Sequence, residues 1–142
     1  MKTVPTLLTL DRFELIDQLE IFQPYYDRIQ IDIADGVLVP NVTTQIDEMT
    51  ELISQGHVEI NPDTSFDFHL MVKNFNAELE KITKLIKQKL RINTVLINGA
   101  LHPKLDLLSS KYNISIGLDI SPSTEIDEIL LHYDLSKISY IQ

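Results

Sequence analysis

The chain predicts an α/β fold with a parallel sheet, on three observations. Short β-branched or apolar runs alternate with longer stretches in which apolar residues recur at helical spacing, and the alternation continues through all 142 residues. The connections between them are short enough for parallel neighbours joined by right-handed crossovers. One run, Gln30-Ile31-Asp32-Ile33-Ala34-Asp35-Gly36, closes a β-branched stretch with two acids, and a Gly turn and Pro40-Asn41 follow. Ionised groups beside a core need partners or a task, and parallel α/β proteins keep their chemistry at the carboxyl ends of strands. The alternation alone fits both an open doubly wound sheet and a (β/α)8 barrel. A complete barrel typically takes about 250 residues, and this chain supplies six strand-like runs of the eight.

Residues 3–8 read as the first strand. Asp11 follows as an N-cap with Glu14 at capping-box spacing, and the helix it opens carries Ile16, Leu19 and Phe22 on one face. Residues 28–33 form the second strand. A weaker helix spans 46–54 on Ile46, Met49, Leu52 and Ile53, and residues 66–72 form the third strand. The strongest helix covers 76–90. Leu79, Ile82, Leu85, Ile86 and Leu90 make its stripe, and Glu80 and Lys84 lie one turn apart on the wet side. Residues 94–97 are the fourth strand. A helix starts at 103–110, with Pro103 near its first turn, where a missing N–H does no harm. Residues 114–120 are the fifth strand, 123–131 a helix capped by Ser123 or Thr124, and 137–141 the opening of a sixth strand. No linker, low-complexity tract or repeat interrupts the series, so a single domain over 1–142 is expected.

Composition excludes several kinds of partner. Asp and Glu outnumber Lys and Arg by 21 to 12, for a formal charge of −9 with His neutral. Such a surface repels nucleic-acid phosphates and anionic lipid, so no nucleic acid and no membrane is expected, and a phosphorylated metabolite needs a local site. Cysteine is absent, which removes disulfide and thiolate chemistry and fits a reducing compartment. The first apolar stretch is broken by Pro5 and meets Asp11-Arg12 too soon for a signal-peptide core. No apolar run approaches the ~18 residues of a membrane helix. A cytoplasmic location is expected.

Among the candidate functional residues, Asp32 stands out as a strand-borne acid, whereas Asp35 before Gly36 suits a turn. His57, His102 and His132 fall in loop or helix positions without carboxylate spacing and are expected at the surface. Asp119 lies on the fifth strand with no role that its spacing assigns.

Four stretches together resemble the ribulose-phosphate 3-epimerase family. Pro5-Thr6-Leu7-Leu8-Thr9-Leu10-Asp11 is similar to its P-S-I-L-S-x-D, and residues 30–41 to H-I-D-V-M-D-G-x-F-V-P-N. Asp67-Phe68-His69-Leu70-Met71 is similar to D-V-H-L-M, and Gly117-Leu118-Asp119-Ile120-Ser121-Pro122-Ser123-Thr124 to G-L-x-L-N-P-x-T. The matches occur in order, on the predicted strands, over essentially the whole chain. The resemblance implies a (β/α)8 TIM-barrel type, here incomplete, with about six strands and five helices. It also implies an isomerase of the pentose phosphate pathway, which interconverts D-ribulose 5-phosphate and D-xylulose 5-phosphate through an enediolate. One carboxylate removes the proton, a second returns one on the opposite face, and a divalent metal (zinc, iron, manganese or cobalt) steadies the oxyanion.

Carried over residue by residue, the resemblance makes Asp32 the general base and a metal ligand. It makes His69 a metal ligand and substrate contact, Met71 an apolar pad, and Thr6 a substrate-contacting hydroxyl. Gln30 stands where the other His ligand is expected, and its amide oxygen is a poorer donor for zinc, iron or cobalt. Ala34 replaces a second Met pad, and Leu96-Ile97-Asn98 stands where a His and a Glu are common. The chain stops at Gln142, before the family's M-x-V-x-P-G-F-G-G loop, the later strand with the second Asp, and the Gly-rich loops that cradle phosphate. The expectation is therefore a truncated epimerase that is weakly active or inactive. The alternative is a non-catalytic, degenerate barrel that binds or assembles. Six strands leave apolar edges uncovered, so association into homo-oligomers is also expected.

Overall fold

Each apolar run pairs with the run made just before it. In the computed structural model, which describes residues 3–122 and 124–142, five parallel strands stand in chain order: β1 (Thr6–Leu7), β2 (Arg28–Ala34), β3 (Ser65–Met71), β4 (Arg91–Asn98) and β5 (Ser115–Asp119). The crossovers carry α1 (Arg12–Phe22), α2 (Ile46–Ser54), α3 (Phe75–Lys87) and α4 (Leu105–Tyr112), and α5 (Ile126–His132) follows β5. This is an α/β arrangement of the partial TIM-barrel type, with the sheet not closed. The expected sixth strand enters as a short parallel rung. Leu118 N–H donates to the Tyr140 carbonyl (2.9 Å) and Gln142 N–H to that of Leu118 (3.0 Å), and residues 118 and 141 form a bridge. It starts after residue 137 because Leu135–Lys137 is a 3-10 turn, capped by the Asp134 side chain.

Strand periodicity sorts the side chains into two layers. Ile29, Ile31 and Ile33 of β2 and Phe66, Phe68 and Leu70 of β3 join Val95, Ile97 and Ile116 in one buried cluster. Leu15, Leu19, Met49, Leu52, Leu79, Ile82 and Leu85 of the helices complete it. The alternate residues form the inner face. By register, Gln30 pairs with Asp67, Asp32 with His69, and Ala34 with Met71. Thr94, Leu96 and Asn98 of β4 meet Ser115, Gly117 and Asp119 of β5. A register shift at Asn93 lets its amide reach Asp67 Oδ1 at 2.8 Å.

Local signals explain most boundaries. Asp11 caps α1, accepting from the N–H groups of Phe13 and Glu14 (2.8 and 3.0 Å). Glu14 reaches one residue further back than a capping box requires, to Leu10 N–H (2.8 Å). The helix expected over 76–90 runs instead from Phe75, capped by Asn74, to Lys87. Lys89 then adopts a left-handed φ of 71°, and Leu90 N–H donates to the Leu85 carbonyl (3.1 Å), a Schellman-type closure made without glycine. Pro103 lies two residues before α4, near its first turn as expected. Ser123, one of the two expected caps of α5, lies outside the described residues.

Candidate active site on the inner face

Because residues 30 and 32 point the same way from β2, as do 67 and 69 from β3, the parallel register sets Asp32 beside His69. Both are buried, at 8% and 7% exposure. His69 Nδ1 lies 3.2 Å from Asp32 Oδ1, and Gln30 Nε2 donates to the same oxygen at 3.1 Å. The carboxylate can only accept from the ring, so Nδ1 carries the proton. The end of β2 is held by the loop that follows it. The Thr43 hydroxyl donates to the Asp32 carbonyl (2.9 Å) and accepts from Ala34 N–H (2.9 Å), while Gln45 Nε2 donates to the Ala34 carbonyl (2.9 Å).

The string continues across the sheet. His69 Nε2 faces Asp119 Oδ2 of β5 at 3.5 Å, yet this buried nitrogen makes no hydrogen bond within the described residues. Asn98 Nδ2 donates to the same Asp119 oxygen at 2.9 Å. Burial alone pushes the His69 pKa down, but the flanking carboxylates of Asp119 and Asp32 outweigh it and hold the ring at about 9. For Asp119, burial pushes the carboxyl up, and His69 with Asn98 carries it below the usual carboxylate range. Towards the amino ends of the strands, Asp67 pairs with Arg28 (Nε to Oδ2, 2.7 Å), and the Arg28 guanidinium stacks over the Tyr140 ring at 5.1 Å.

Gln30, Asp32 and His69 are thus brought together. Met71, half-buried, lies one rung above the Asp32–His69 pair beside Ala34. Thr6 is exposed on the edge strand opposite Gln30, apart from the hydrogen-bonded string. Asp35 makes a turn, accepting from Val37 N–H (2.9 Å) where Gly36 takes a φ of 78°. His57, His102 and His132 are exposed, although the rings of His102 and His132 meet with centroids 4.2 Å apart. Asp119 and Asn98 are members of the string that sequence reasoning left without a role. The available signal was the alternation Gly117, Asp119 along β5, which turns the acid to the inner face.

The resemblance also implies a divalent metal. Among the described residues no group of three or more His, Cys, Asp or Glu side chains is gathered to hold one. Gln30 has its amide N–H engaged by Asp32, whereas the orphaned Nε2 of His69 is a nitrogen donor of the kind such an ion takes. Against known families, the model described as the ribulose-phosphate 3 epimerase family matches residues 2–141.

Proposed function

The chain belongs to the ribulose-phosphate 3-epimerase family, and from that premise we propose that it acts on D-ribulose 5-phosphate, moving the proton on the carbon beside the ketose carbonyl towards D-xylulose 5-phosphate. The observation that carries this reading is the buried Asp32 at the carboxyl end of β2, fixed by Gln30 and His69 through a single oxygen. Both contacts fall on Oδ1, so Oδ2 is the atom to take the substrate proton, with the carboxylate plane already set. Met71 supplies an apolar wall above it, and Thr6 a hydroxyl at the rim. The family is generally metal-dependent; a bound divalent ion would supply Lewis-acid stabilisation of the developing oxyanion, and Asp32 and His69 are the residues that would hold it. The whole of 1–142 serves as one partial barrel domain in a cytoplasmic setting.

Inversion needs a second proton donor on the far face of the carbon. Among the described residues the other carboxylates of the inner face do not serve: Asp67 is paired with Arg28, and Asp119 is separated from Asp32 by the His69 ring. Proton removal and return on one face is therefore favoured over inversion. Solvent exchange at carbon three should outrun formation of xylulose 5-phosphate, and net turnover should be weak. Proton NMR of ribulose 5-phosphate in D2O with the metal-supplemented chain tests this. The carbon-three signal should fade, and Asp32→Asn should slow the loss by about 10²–10⁴-fold, the usual contribution of a general base. A fading rate equal to that of buffer rejects the reading.

The Gln30–Asp32 bond favours a second reading, in which Gln30 keeps the carboxylate out of use and the barrel binds without turnover. Saturable binding of ribulose 5-phosphate with no exchange at carbon three selects it.

A further inference from the structure

Asn98 ends β4 and Gly99 opens the 3-10 turn after it, and of the seven asparagines in the chain only this one is followed by glycine. A following glycine leaves the peptide nitrogen unhindered by a side chain. That nitrogen is the nucleophile that can close a five-membered ring on the asparagine amide carbon. The structure grips each group that such a closure must move. Asn98 Nδ2, the leaving nitrogen, donates to Asp119 Oδ2 at 2.9 Å, and Asn98 Oδ1 accepts from Ala100 N–H at 3.0 Å. With ψ at 126° the Gly99 nitrogen is turned away from the amide carbon. Bringing it back requires Gly99 to turn, and Gly99 is pinned. Its carbonyl accepts from the Tyr133 hydroxyl (3.3 Å) and from His102 N–H (3.0 Å). A Cβ built on Gly99 would stand 3.1 Å from Ile129 Cδ1, so that side chain lies directly on the glycine. Ile129 belongs to α5 and Tyr133 caps its end. This helix has only seven residues, and its Ile126, Leu130 and Leu131 are more than half exposed. It is therefore an element that opens at low cost.

We propose that Asn98 is a self-modification site: it deamidates when α5 lifts, and is kept closed by Asp119 on the amide and by Ile129 and Tyr133 on Gly99. The Gly99 nitrogen gives its proton to solvent and attacks Asn98 Cγ. The N–Cγ bond forms, the Cγ–Nδ2 bond breaks, and ammonia leaves with the proton it needs. Water then opens the succinimide at either carbonyl, leaving aspartate or its β-linked isomer at position 98. The donor that held Asp119 is lost, and two carboxylates face each other where an amide met an acid. The string through His69 thereby loses its outer support. The epimerase reading is not a premise of this inference.

The full chain, folded or unfolded in guanidinium chloride, is incubated in mildly alkaline oxygen-18 water, and the peptide carrying residue 98 is followed by mass spectrometry. Solvent oxygen should enter at residue 98 slowly in the folded chain and much faster in the unfolded one. Asp119→Ala should raise the folded-state rate about 10-fold, and Tyr133→Phe, which removes only a hydroxyl, about 3-fold, as the loss of a charged and a neutral hydrogen bond implies. Ile46→Val, which loosens the core within α2, should leave the rate unchanged. Asn98→Asp, the product placed in advance, should shift the His69 ring signals in NMR as the aged chain does. Circular dichroism should show each variant folded, and Tyr133→Phe carries the test if Asp119→Ala is not. The proposal is overturned by equal rates in the folded and unfolded chains, or by a rate indifferent to both Asp119→Ala and Tyr133→Phe. Acceleration in Ile46→Val as large as in Asp119→Ala also overturns it, because the reaction then follows global unfolding. Every reading is made without substrate, so failure at carbon three rejects the epimerase and leaves this assignment standing.

Discussion

His69 sits between two carboxylates, with a proton on each side to account for. Burial pushes its pKa down, but Asp119 and Asp32 outweigh it and hold it at about 9, against 6.5 for the free side chain. A folded-state value above the unfolded one means that the imidazolium contributes stability fully below about pH 6.5 and loses it as the pH rises through about 9. The contribution is on the order of 2 kcal/mol after solvent screening. Urea unfolding between pH 6.5 and 10 should show the decline, and His69→Gln should flatten it. An equal slope in both proteins contradicts the assignment. At this scale Asp32 was legible as a strand-borne acid and His69 through the resemblance of its D-x-H-L-M stretch; period-two alternation sets 30 with 32 and 67 with 69, and the parallel register brings the two pairs to one face. Asp119 was not, because which strand end reaches His69 depends on how far the sheet curls, a property no local stretch of residues encodes.

Elements meet most closely where Gly117 of β5 passes under residues 140–142. A Cβ at Gly117 stands 2.7 Å from the Tyr140 carbonyl oxygen and 2.8 Å from Leu96 Cδ2 and Tyr140 Cβ. Two of these neighbours cannot swing aside. Gly117→Ala should therefore displace the last rung and destabilise the chain by about 1–3 kcal/mol, as overpacking does. Hydrogen exchange provides the local check, since Leu118, Ile120 and Gln142 N–H groups form that rung and should lose protection first. Unchanged protection there removes the argument. Long apolar stripes made the helices readable, and Ile46–Ser54 begins and ends where its periodicity does. The ends that could not be read depend on partners distant in the chain. β1 shrinks to two residues because it has a neighbour on one side only and Pro5 has no N–H to offer. α3 ends early because Lys89 accepts a backbone angle that its residue type disfavours.

The whole molecule presents an open sheet. Beside its β1 edge Leu10 and Phe13 are 66% and 70% exposed, and strand edges with apolar neighbours pair with other chains unless blunted. The formal charge of −9 opposes such pairing at long range. Sedimentation velocity should accordingly show reversible association that strengthens as salt screens the repulsion. A single monomer boundary at every protein and salt concentration contradicts it. The strand alternation, the parallel pairing and the layer that faces the helices all follow from hydrophobic spacing. The open or closed state of the sheet does not, because curvature is summed over many pairings.

The strand order has a consequence for how the protein is made. From β2 onward each described strand lies against the one translated immediately before it, so its pairing partner is already made when it leaves the ribosome. The nascent chain can add one β-α unit at a time at the pace of elongation, with the newest strand always the exposed one.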